Sequence, residues 1–204
     1  GRLRIIVEGK LSDKPLHEFT EVSSGSEEGL MGLALDPDYN SNKLIYLSYA
    51  YEKNGNLAVK VVRFKDNGDN LTDEKTIIDD LPAARFHAGC RLRFGPDKKL
   101  YITTGDAGER ENAQDLNKLF GKILRVNPDG SIPADNPIAN SPVWSYGHRN
   151  PQGIDWYPGT DIMWETEHGP SGFDGPGGGD EVNVIVKGKN YGWPEVSHTN
   201  SKEG

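Results

Sequence analysis

The most constraining feature of this sequence is a pattern that returns about every sixty residues. Each copy has two runs of alternating apolar and polar residues, joined by a proline turn at Pro37, Pro96 or Pro158. Alternation with a period of two is typical of β-strands, and Pro-Asp or Pro-Gly between two such runs is typical of a hairpin turn. The chain is therefore expected to fold into a series of similar antiparallel sheets.

A third strand is expected in each copy. Residues 61–64 and 123–126 follow the first two hairpins, each with an arginine in the same register (Arg63 and Arg125), and residues 181–185 follow the third. Small antiparallel sheets repeated at this spacing are typical of the blades of a β-propeller. A β-sandwich is the alternative for an all-β chain, but the internal copies favour the propeller.

Composition agrees with an all-β fold. The 204 residues include 25 glycines and 13 prolines, which suit many turns, and 34% are hydrophobic, which suffices for a core. A propeller needs at least about four blades to close. At this repeat length the chain holds roughly three to three and a half blades, so we expect one partial propeller, residues 1–204, truncated at both ends. Its open blade edges favour self-association.

Charge and hydropathy argue against several kinds of partner. The net charge is −8 and no block of five basic residues occurs, so nucleic acid is not an expected partner. No run approaches the roughly 18 apolar residues of a membrane span. The first residues, 4–7, already resemble a strand and no signal peptide precedes them, which says little about the compartment.

The single cysteine excludes an intrachain disulfide. The tryptophans are interpreted as blade packing, because basic residues are not interleaved with them.

Residues capable of catalysis stand where predicted strands begin or end. His87 precedes the first strand of the second copy, and Asp106 follows its second strand. These two ends meet at one edge of a hairpin, so we expect the carboxylate to orient a histidine base. Arg149 lies nine residues before Pro158, just as His87 lies nine residues before Pro96. If the blades surround one axis, both side chains therefore point to the same face. On residue types alone, a structural His–Asp pair and an ordinary turn around Arg149 remain alternatives.

Acidic segments suggest a second kind of site. Glu27 also precedes the first strand of a copy, and the glycine-rich loop 171–179 contains Asp174 and leads to Asp180 and Glu181. Calcium binds such carboxylate oxygens together with backbone carbonyls. No EF-hand spacing is present, so residue types alone favour solvated carboxylates and a solvated loop.

A set of motifs occurs in order along nearly the whole chain, at residues 27–32, 37–38, 87–89, 92–97, 105–106, 121–125, 129–133, 147–153, 167–170, 180–183 and 188–194. Together these motifs resemble the soluble quinoprotein glucose/sorbosone dehydrogenase family, which includes the aldose sugar dehydrogenases. The resemblance implies a six-bladed β-propeller that binds pyrroloquinoline quinone and calcium on its axial face. It also implies oxidation of an aldose sugar to its lactone, an external electron acceptor, and a periplasmic or extracellular location.

The resemblance implies catalytic and cofactor roles for individual residues. His87 matches the general base that takes the proton of the sugar C1 hydroxyl, and Asp106 matches the acid that assists it. Arg149 and Asn150 match cofactor contacts, with the arginine facing the quinone oxygens where negative charge develops. Glu27 occupies a cofactor-contact position that holds glutamine in some members of the family.

The resemblance also implies two calcium sites. The carbonyls of Gly169 and Pro170 match ligands of the cofactor's calcium, whereas Glu181 and Tyr191 match a second calcium site. The sequence departs from the family pattern in loop 171–179, which is longer and richer in glycine than expected. The family's cofactor-clamping lysine and arginines lie in later blades, beyond this chain.

Two other functions remain open. One is a non-catalytic propeller that binds calcium and a carbohydrate or protein partner, and the other is a calcium-dependent lactonase-type hydrolase, suggested by fold analogy alone. The shared strand-end positions of His87, Asp106 and Arg149 favour the dehydrogenase, since a binding module has no need for an activated histidine.

Overall fold

The structure, a computed structural model that describes residues 1–197, is built almost entirely of β-strands. Three antiparallel sheets of three or four strands follow one another along the chain, one for each copy of the repeat. The expected hairpins and third strands are therefore confirmed. Within the described residues no helix is both long and apolar enough to cross a membrane.

The N-terminal segment forms two small ribbons rather than one strand. The segment expected as a strand at residues 4–7 is extended only in its second half, where Ile6 and Val7 are largely exposed. Strands this short bury too little apolar surface to continue. The ribbons pair β1 with β4 and β2 with β3; the strands are β1 (Arg2–Leu3), β2 (Ile6–Val7), β3 (Lys10–Leu11) and β4 (His17–Glu18).

Each of the three sheets begins with the predicted hairpin and adds strands in sequence order. A one-turn helix, α1 (Tyr39–Asn42), lies in the first proline turn, and a 3₁₀ turn (Arg110–Ala113) follows the second hairpin. The first sheet contains β5 (Leu30–Leu35), β6 (Leu44–Lys53), β7 (Asn56–Asp66) and β8 (Leu71–Pro82); the second contains β9 (Leu92–Phe94), β10 (Leu100–Thr104), β11 (Lys122–Val126) and β12 (Val143–Tyr146); the third contains β13 (Pro151–Trp156), β14 (Met163–Glu167) and β15 (Glu181–Ile185).

A fourth strand was not assigned to either of the first two sheets from the sequence, although the residues before Gly147 resemble a strand. Half of the residues of β8 are exposed and its charged residues interrupt the alternation, while its register against β7 shifts at several points. β12 has only four residues. Outer strands of this kind bury at most one face. The alternation of apolar and polar residues that identified the inner strands is therefore weak in them.

The sheets pack face to face, as successive blades do. Ile102 and Leu124 of the second sheet lie in one core with Val61 of the first sheet, whereas their neighbours Tyr101 and Ile123 pack against the third sheet. Alternate residues of a strand point to opposite faces, so the second sheet is buried on both sides. Burial of each large apolar side chain contributes about 1.5–3 kcal/mol.

The first strands of the three sheets lie around a common open space. Leu33 of β5, Arg93 of β9 and Asp155 of β13 line one cavity of about 840 Å³. Arg93 and Asp155 form an exposed ion pair across it at 2.9 Å. The first strand of each of the three blades therefore faces the same axis. This is the arrangement expected if His87 and Arg149, which precede such strands, lie at one face.

Arg125 of β11 stabilises the second blade by linking its strands to two neighbouring turns. Its guanidinium donates to Asp97 in the proline turn at 2.9 Å, to both carboxylate oxygens of Asp135 and to the amide oxygen of Asn136. The side chain is almost fully buried. Tyr101 pairs with Arg125 across the sheet as Tyr46 pairs with Arg63 in the first blade, so the expected register of the two arginines is confirmed.

Replacing Arg125 by methionine is expected to lower the free energy of unfolding by about 1–3 kcal/mol, because the hydrogen-bonding groups around it lose their donor. Arg93→Met is the matched control, since it removes an exposed ion pair worth less than about 1 kcal/mol. Urea unfolding followed by circular dichroism measures both. Equal losses for the two variants would contradict the structural role of Arg125.

Candidate active site

His87 and Asp106 lie side by side where the second blade's hairpin ends meet. Nδ1 of His87 is 2.7 Å from Oδ1 of Asp106, which confirms the expected contact. The carboxylate is buried, whereas 12% of the imidazole is exposed. In the tautomer that donates Nδ1–H to the carboxylate, Nε2 keeps its lone pair and can accept a proton.

The backbone around His87 is held in an uncommon conformation. Its φ of +51° lies in the left-handed region, which non-glycine residues seldom occupy. The backbone amide of His87 donates to Oε2 of Glu27 at 2.8 Å. A Cβ added at Gly105 would lie 1.8 Å from the carbonyl oxygen of His87, so this position has room only for glycine. Close backbone packing thus fixes the direction of the imidazole.

Trp193 holds the other side of Asp106. Its indole Nε1 donates to Oδ2 of Asp106 at 2.8 Å, and the amide of Gly108 donates to Oδ1 at 2.9 Å. The interpretation of the tryptophans as blade packing alone was therefore incomplete. Trp193 lies in the last matching segment, residues 188–194, and this was the sequence signal that could have identified it.

Arg149 lies at the same face but is engaged by the glycine-rich loop. Its Nε donates to Oδ2 of Asp174 at 2.8 Å, and the terminal nitrogens donate to the carbonyl of His168 and to the hydroxyl of Ser171. The guanidinium carbon lies 5.5 Å from the ring centre of Trp193. Partial burial raises the pKa of Asp174, but the hydrogen bond and positive charge of Arg149, together with the backbone amide of Ser171, outweigh it, and the pKa is below its ordinary value.

The expected catalytic and cofactor residues line two adjoining cavities. The first cavity, of about 670 Å³, is bordered by Glu27, His87, Arg149 and Asn150. The second, of about 570 Å³, shares Glu27 and His87 and adds Asp106. The structure thus brings together five residues from four separate places in the sequence.

Three features of these cavities concern ligand binding. The amide oxygen of Asn150 is buried without a hydrogen-bond partner in the described part of the chain, and such groups usually have a ligand or a water. Phe86 and Phe173 both border the second cavity, and the ring of Phe86 lies edge-on to His87 at 5.0 Å. The two cavities therefore combine a polar side with an apolar side, as sites for small molecules commonly do.

The four residues that the resemblance assigned to calcium also meet. Gly169, Pro170, Glu181 and Tyr191 border a cavity of about 10 Å³, which is close to the room that one water molecule needs. The carbonyl of Pro170 accepts a hydrogen bond from the amide of Gly178 at 3.0 Å.

Tyr191 and Gly169 are both restrained by their neighbours. The Tyr191 hydroxyl donates to the carbonyl of Val184 at 2.7 Å and accepts from the amide of Val186, so it is already occupied. A Cβ at Gly169 would lie 2.4 Å from the backbone of Gly179. Backbone oxygens, rather than the phenol, are therefore the calcium-binding groups that this segment offers.

A buried polar cluster below this cavity was not expected from the sequence. His148, Glu165 and Glu167 place their ligand-capable atoms within 4.8 Å of one another, and it is the one such group of three among residues 1–197. Burial, together with the nearby charge of Glu167, raises the pKa of Glu165 to about 9. Glu165 and Glu167 are two residues apart in β14 and therefore point to the same face, which was the available sequence signal.

Antiparallel blades around an axis, with a paired histidine and carboxylate and a buried arginine at their strand ends, define part of a β-propeller with a ligand site on its axial face. The chain belongs to the Glucose / Sorbosone dehydrogenase family, whose family model matches residues 1–204. The expected family and the expected propeller fold are both confirmed, and the family is one of oxidoreductases.

Named relatives and a solved structure agree with this assignment. The chain is 38% identical over 204 residues to aldose sugar dehydrogenase YliI of Escherichia coli (strain K12), covering 95% of the chain and 53% of that protein. It is 34% identical over 201 residues to quinoprotein glucose dehydrogenase B of Acinetobacter calcoaceticus, covering 84% and 41%. The PQQ-bound aldose sugar dehydrogenase of Streptomyces coelicolor superimposes with a TM-score of 0.84 at 37% identity, covering 96% and 56%. The chain spans about half the length of these relatives.

Proposed function

We propose that this chain forms part of a pyrroloquinoline-quinone-dependent enzyme that oxidises aldose sugars to lactones and passes the electrons to an external acceptor. The pairing of His87 with Asp106 beside a cavity that also contains Arg149 is the observation that carries the proposal. Relatives named as a quinoprotein glucose dehydrogenase and a PQQ-bound aldose sugar dehydrogenase support the cofactor and the substrate class. A periplasmic or extracellular location is part of the same proposal.

The residues present fit one side of the quinone. The first cavity has the size of a typical small-molecule site, which is about 300–1,000 Å³. Arg149 already binds a carboxylate, that of Asp174, and so can bind the oxygens of an anionic quinone in its place. The unpartnered amide oxygen of Asn150 offers a further polar contact. When bound, the quinone supplies a two-electron acceptor for the hydrogen of the sugar carbon.

The acid–base step belongs to His87 and Asp106. Nε2 of His87 accepts the proton of the sugar hydroxyl, and the buried carboxylate of Asp106 stabilises the resulting imidazolium. Trp193 and Gly108 keep Asp106 in place through their hydrogen bonds. Arg149 stabilises the negative charge that develops across the cavity.

The apolar side of the site suits a sugar ring. Phe86 and Phe173 border the second cavity next to His87, and aromatic faces pack against the C–H faces of sugars while excluding water. Phe173 is fully exposed on loop 171–179, so a bound sugar would cover it. The loop that closes on Arg149 therefore also carries a substrate contact in this proposal.

Calcium is proposed at the two positions that the resemblance implies. The carbonyl oxygens of Gly169 and Pro170, which border the first cavity, would hold the ion next to the cofactor. Glu181 and Tyr191 border the small cavity behind them and would hold a second ion. Backbone carbonyls and carboxylates are the oxygen ligands that calcium prefers.

The central experiment uses the complete protein at the length of its relatives, loaded with the quinone and calcium. Reduction of a dye in the presence of an aldose is the expected result. Absence of turnover with every sugar tested would overturn the proposal. A quinone titration of the 204-residue chain, followed by absorbance, separately measures how much of the cofactor site this portion holds.

Replacing Asp174 by asparagine is expected to tighten quinone binding about tenfold, because a carboxylate then no longer competes for the guanidinium of Arg149. Asp180→Asn is the matched control on the same loop, since that carboxylate accepts from the amide of Gly169 instead. An absorbance titration measures both dissociation constants. Weaker binding by Asp174→Asn would mean that the carboxylate assists the cofactor rather than competing with it.

We also propose that the open edge of the third blade mediates self-association. Val182 and Val184 of β15 and Trp164 of β14 form an exposed apolar face, and the described part of this sheet has three strands rather than four. Open strands of this kind readily pair with another chain. Light scattering over a range of protein concentrations is expected to show a rising mass, and a constant monomeric mass would contradict this.

A further inference from the structure

Three fully or almost fully buried side chains outside the two cavities converge on one point. His148 and Glu165 are completely buried and Glu167 is 7% exposed. Their ligand-capable atoms all lie within 4.8 Å of one another. We propose that His148, Glu165 and Glu167 bind a divalent transition-metal ion of the zinc type, which fastens the segment carrying Arg149 to the third blade.

Two unpartnered atoms point to a missing ligand. Nε2 of His148 lies 2.9 Å from the hydroxyl of Ser145, whereas Nδ1 has no hydrogen-bond partner within the described residues. If Nε2–H donates to Ser145, Nδ1 presents the lone pair that a metal requires. Glu165 repeats the arrangement: Oε2 accepts from the amide of Asn183 at 3.2 Å, and Oε1 has no partner in the same part of the chain. In His148 and in Glu165, one polar atom is thus fixed by a hydrogen bond, and the other is available to a ligand that both side chains could share.

A cation would also compensate the charge of this cluster. Two buried carboxylates are costly unless a positive charge compensates them. The guanidinium of Arg149 is bound to Asp174, and the backbone amide of Arg149 donates to Glu167 at 2.9 Å. A divalent ion, the two carboxylates of Glu165 and Glu167 and a neutral imidazole together carry no net charge.

Ligand type and spacing identify the class of ion. An imidazole nitrogen with two carboxylate oxygens suits zinc and similar metals, whereas calcium prefers oxygen ligands alone. Nδ1 of His148 lies 3.6 Å from Oε2 of Glu167, and two ligands of one tetrahedral zinc lie roughly 3.4 Å apart. Small side-chain rotations are therefore sufficient to place all three groups on one ion.

This ion differs from the calcium proposed at Glu181 and Tyr191. Glu181 lies opposite Glu167 in the sheet, and the ring of Tyr191 stacks on His148 at 4.8 Å, so the two sites are neighbours with separate ligands. His148 directly precedes Arg149, whose amide binds Glu167. A metal at this position would therefore fix the backbone from which Arg149 reaches into the first cavity.

The test is a titration of the metal-free 204-residue chain with Zn²⁺ alone, and separately with Co²⁺ and Ca²⁺. We expect one equivalent of Zn²⁺ to bind with saturation, and Co²⁺ to give a visible absorption band. Glu165→Gln keeps the side-chain volume and is expected to weaken Zn²⁺ binding by at least about tenfold. Glu181→Gln removes the neighbouring carboxylate, which contacts Glu167, and is expected to weaken Zn²⁺ binding less than Glu165→Gln does.

Several results would overturn the proposal. They are the absence of saturable Zn²⁺ binding, equal Zn²⁺ affinity in Glu165→Gln and the wild type, and a loss of Zn²⁺ binding in Glu181→Gln but not in Glu165→Gln. If Glu165→Gln does not fold, the wild-type chain labelled with ¹⁵N and loaded with ¹¹³Cd²⁺ decides the question. Coupling between cadmium and one histidine Nδ1 supports the site, and its absence excludes it.

Discussion

Replacing His87 by glutamine is expected to lower sugar-dependent dye reduction by about 10²–10⁴-fold in the complete protein loaded with quinone and calcium. Glutamine has a similar length and can still meet the carboxylate of Asp106, but it cannot accept the proton of the sugar hydroxyl. The steady-state rate with a saturating aldose is the measurement. The expected loss lies in kcat, because in the proposed mechanism the side chain acts on the reacting hydroxyl rather than on the binding of the quinone.

Two controls separate this chemical loss from damage to the fold. Quinone affinity, measured by absorbance, is expected to stay within about threefold, since the removed imidazole is a proton acceptor and not a charge partner of the cofactor. His17→Gln, in the N-terminal ribbon, replaces a histidine far from the cavities and is expected to leave the rate unchanged. A His87→Gln protein that kept more than a tenth of the wild-type rate would exclude His87 as the base.

The sequence predicted the parts of the site that depend on strand geometry alone. A hairpin brings the start of one strand and the end of the next to one edge, so the contact between His87 and Asp106 could be inferred from their positions around β9 and β10. The same register placed Arg149 on the shared face. These inferences succeeded because pairing in an antiparallel sheet follows from sequence order and turn length.

Contacts made across loops could not be inferred in this way. Asp174 reaches Arg149 through a loop with five glycines, whose path no local pattern fixes. Trp193 is far from Asp106 in the sequence, and only the folded chain shows that its indole donates to that carboxylate. Glu165 was missed for a different reason, since an acidic residue in a strand is ordinarily solvent-facing and here it points into the blade.

The second large effect is expected at Arg149. Arg149→Met keeps most of the side-chain volume but removes every guanidinium donor, and it is expected to weaken quinone binding by about 100-fold, since hydrogen bonds to charged groups contribute about 1.5–3 kcal/mol each. An absorbance titration of the 204-residue chain measures this effect. Arg110→Met is the matched control, because Arg110 also contacts the loop, at the carbonyl of Asp174, but is exposed. Similar weakening in both variants would show that the loop, and not the guanidinium, binds the cofactor.

A double-mutant cycle then tests why Arg149 matters. If Asp174 competes with the quinone for this guanidinium, Asp174→Asn tightens binding in the wild type but has no effect once Arg149 is methionine. If Asp174 instead acts by holding the loop over the cavity, it changes binding equally in both backgrounds. The structure supports competition, because the carboxylate lies 2.8 Å from Nε of Arg149 and the pKa of Asp174 is lowered by that contact. Arg149 would then be held, before the quinone binds, by a carboxylate of loop 171–179.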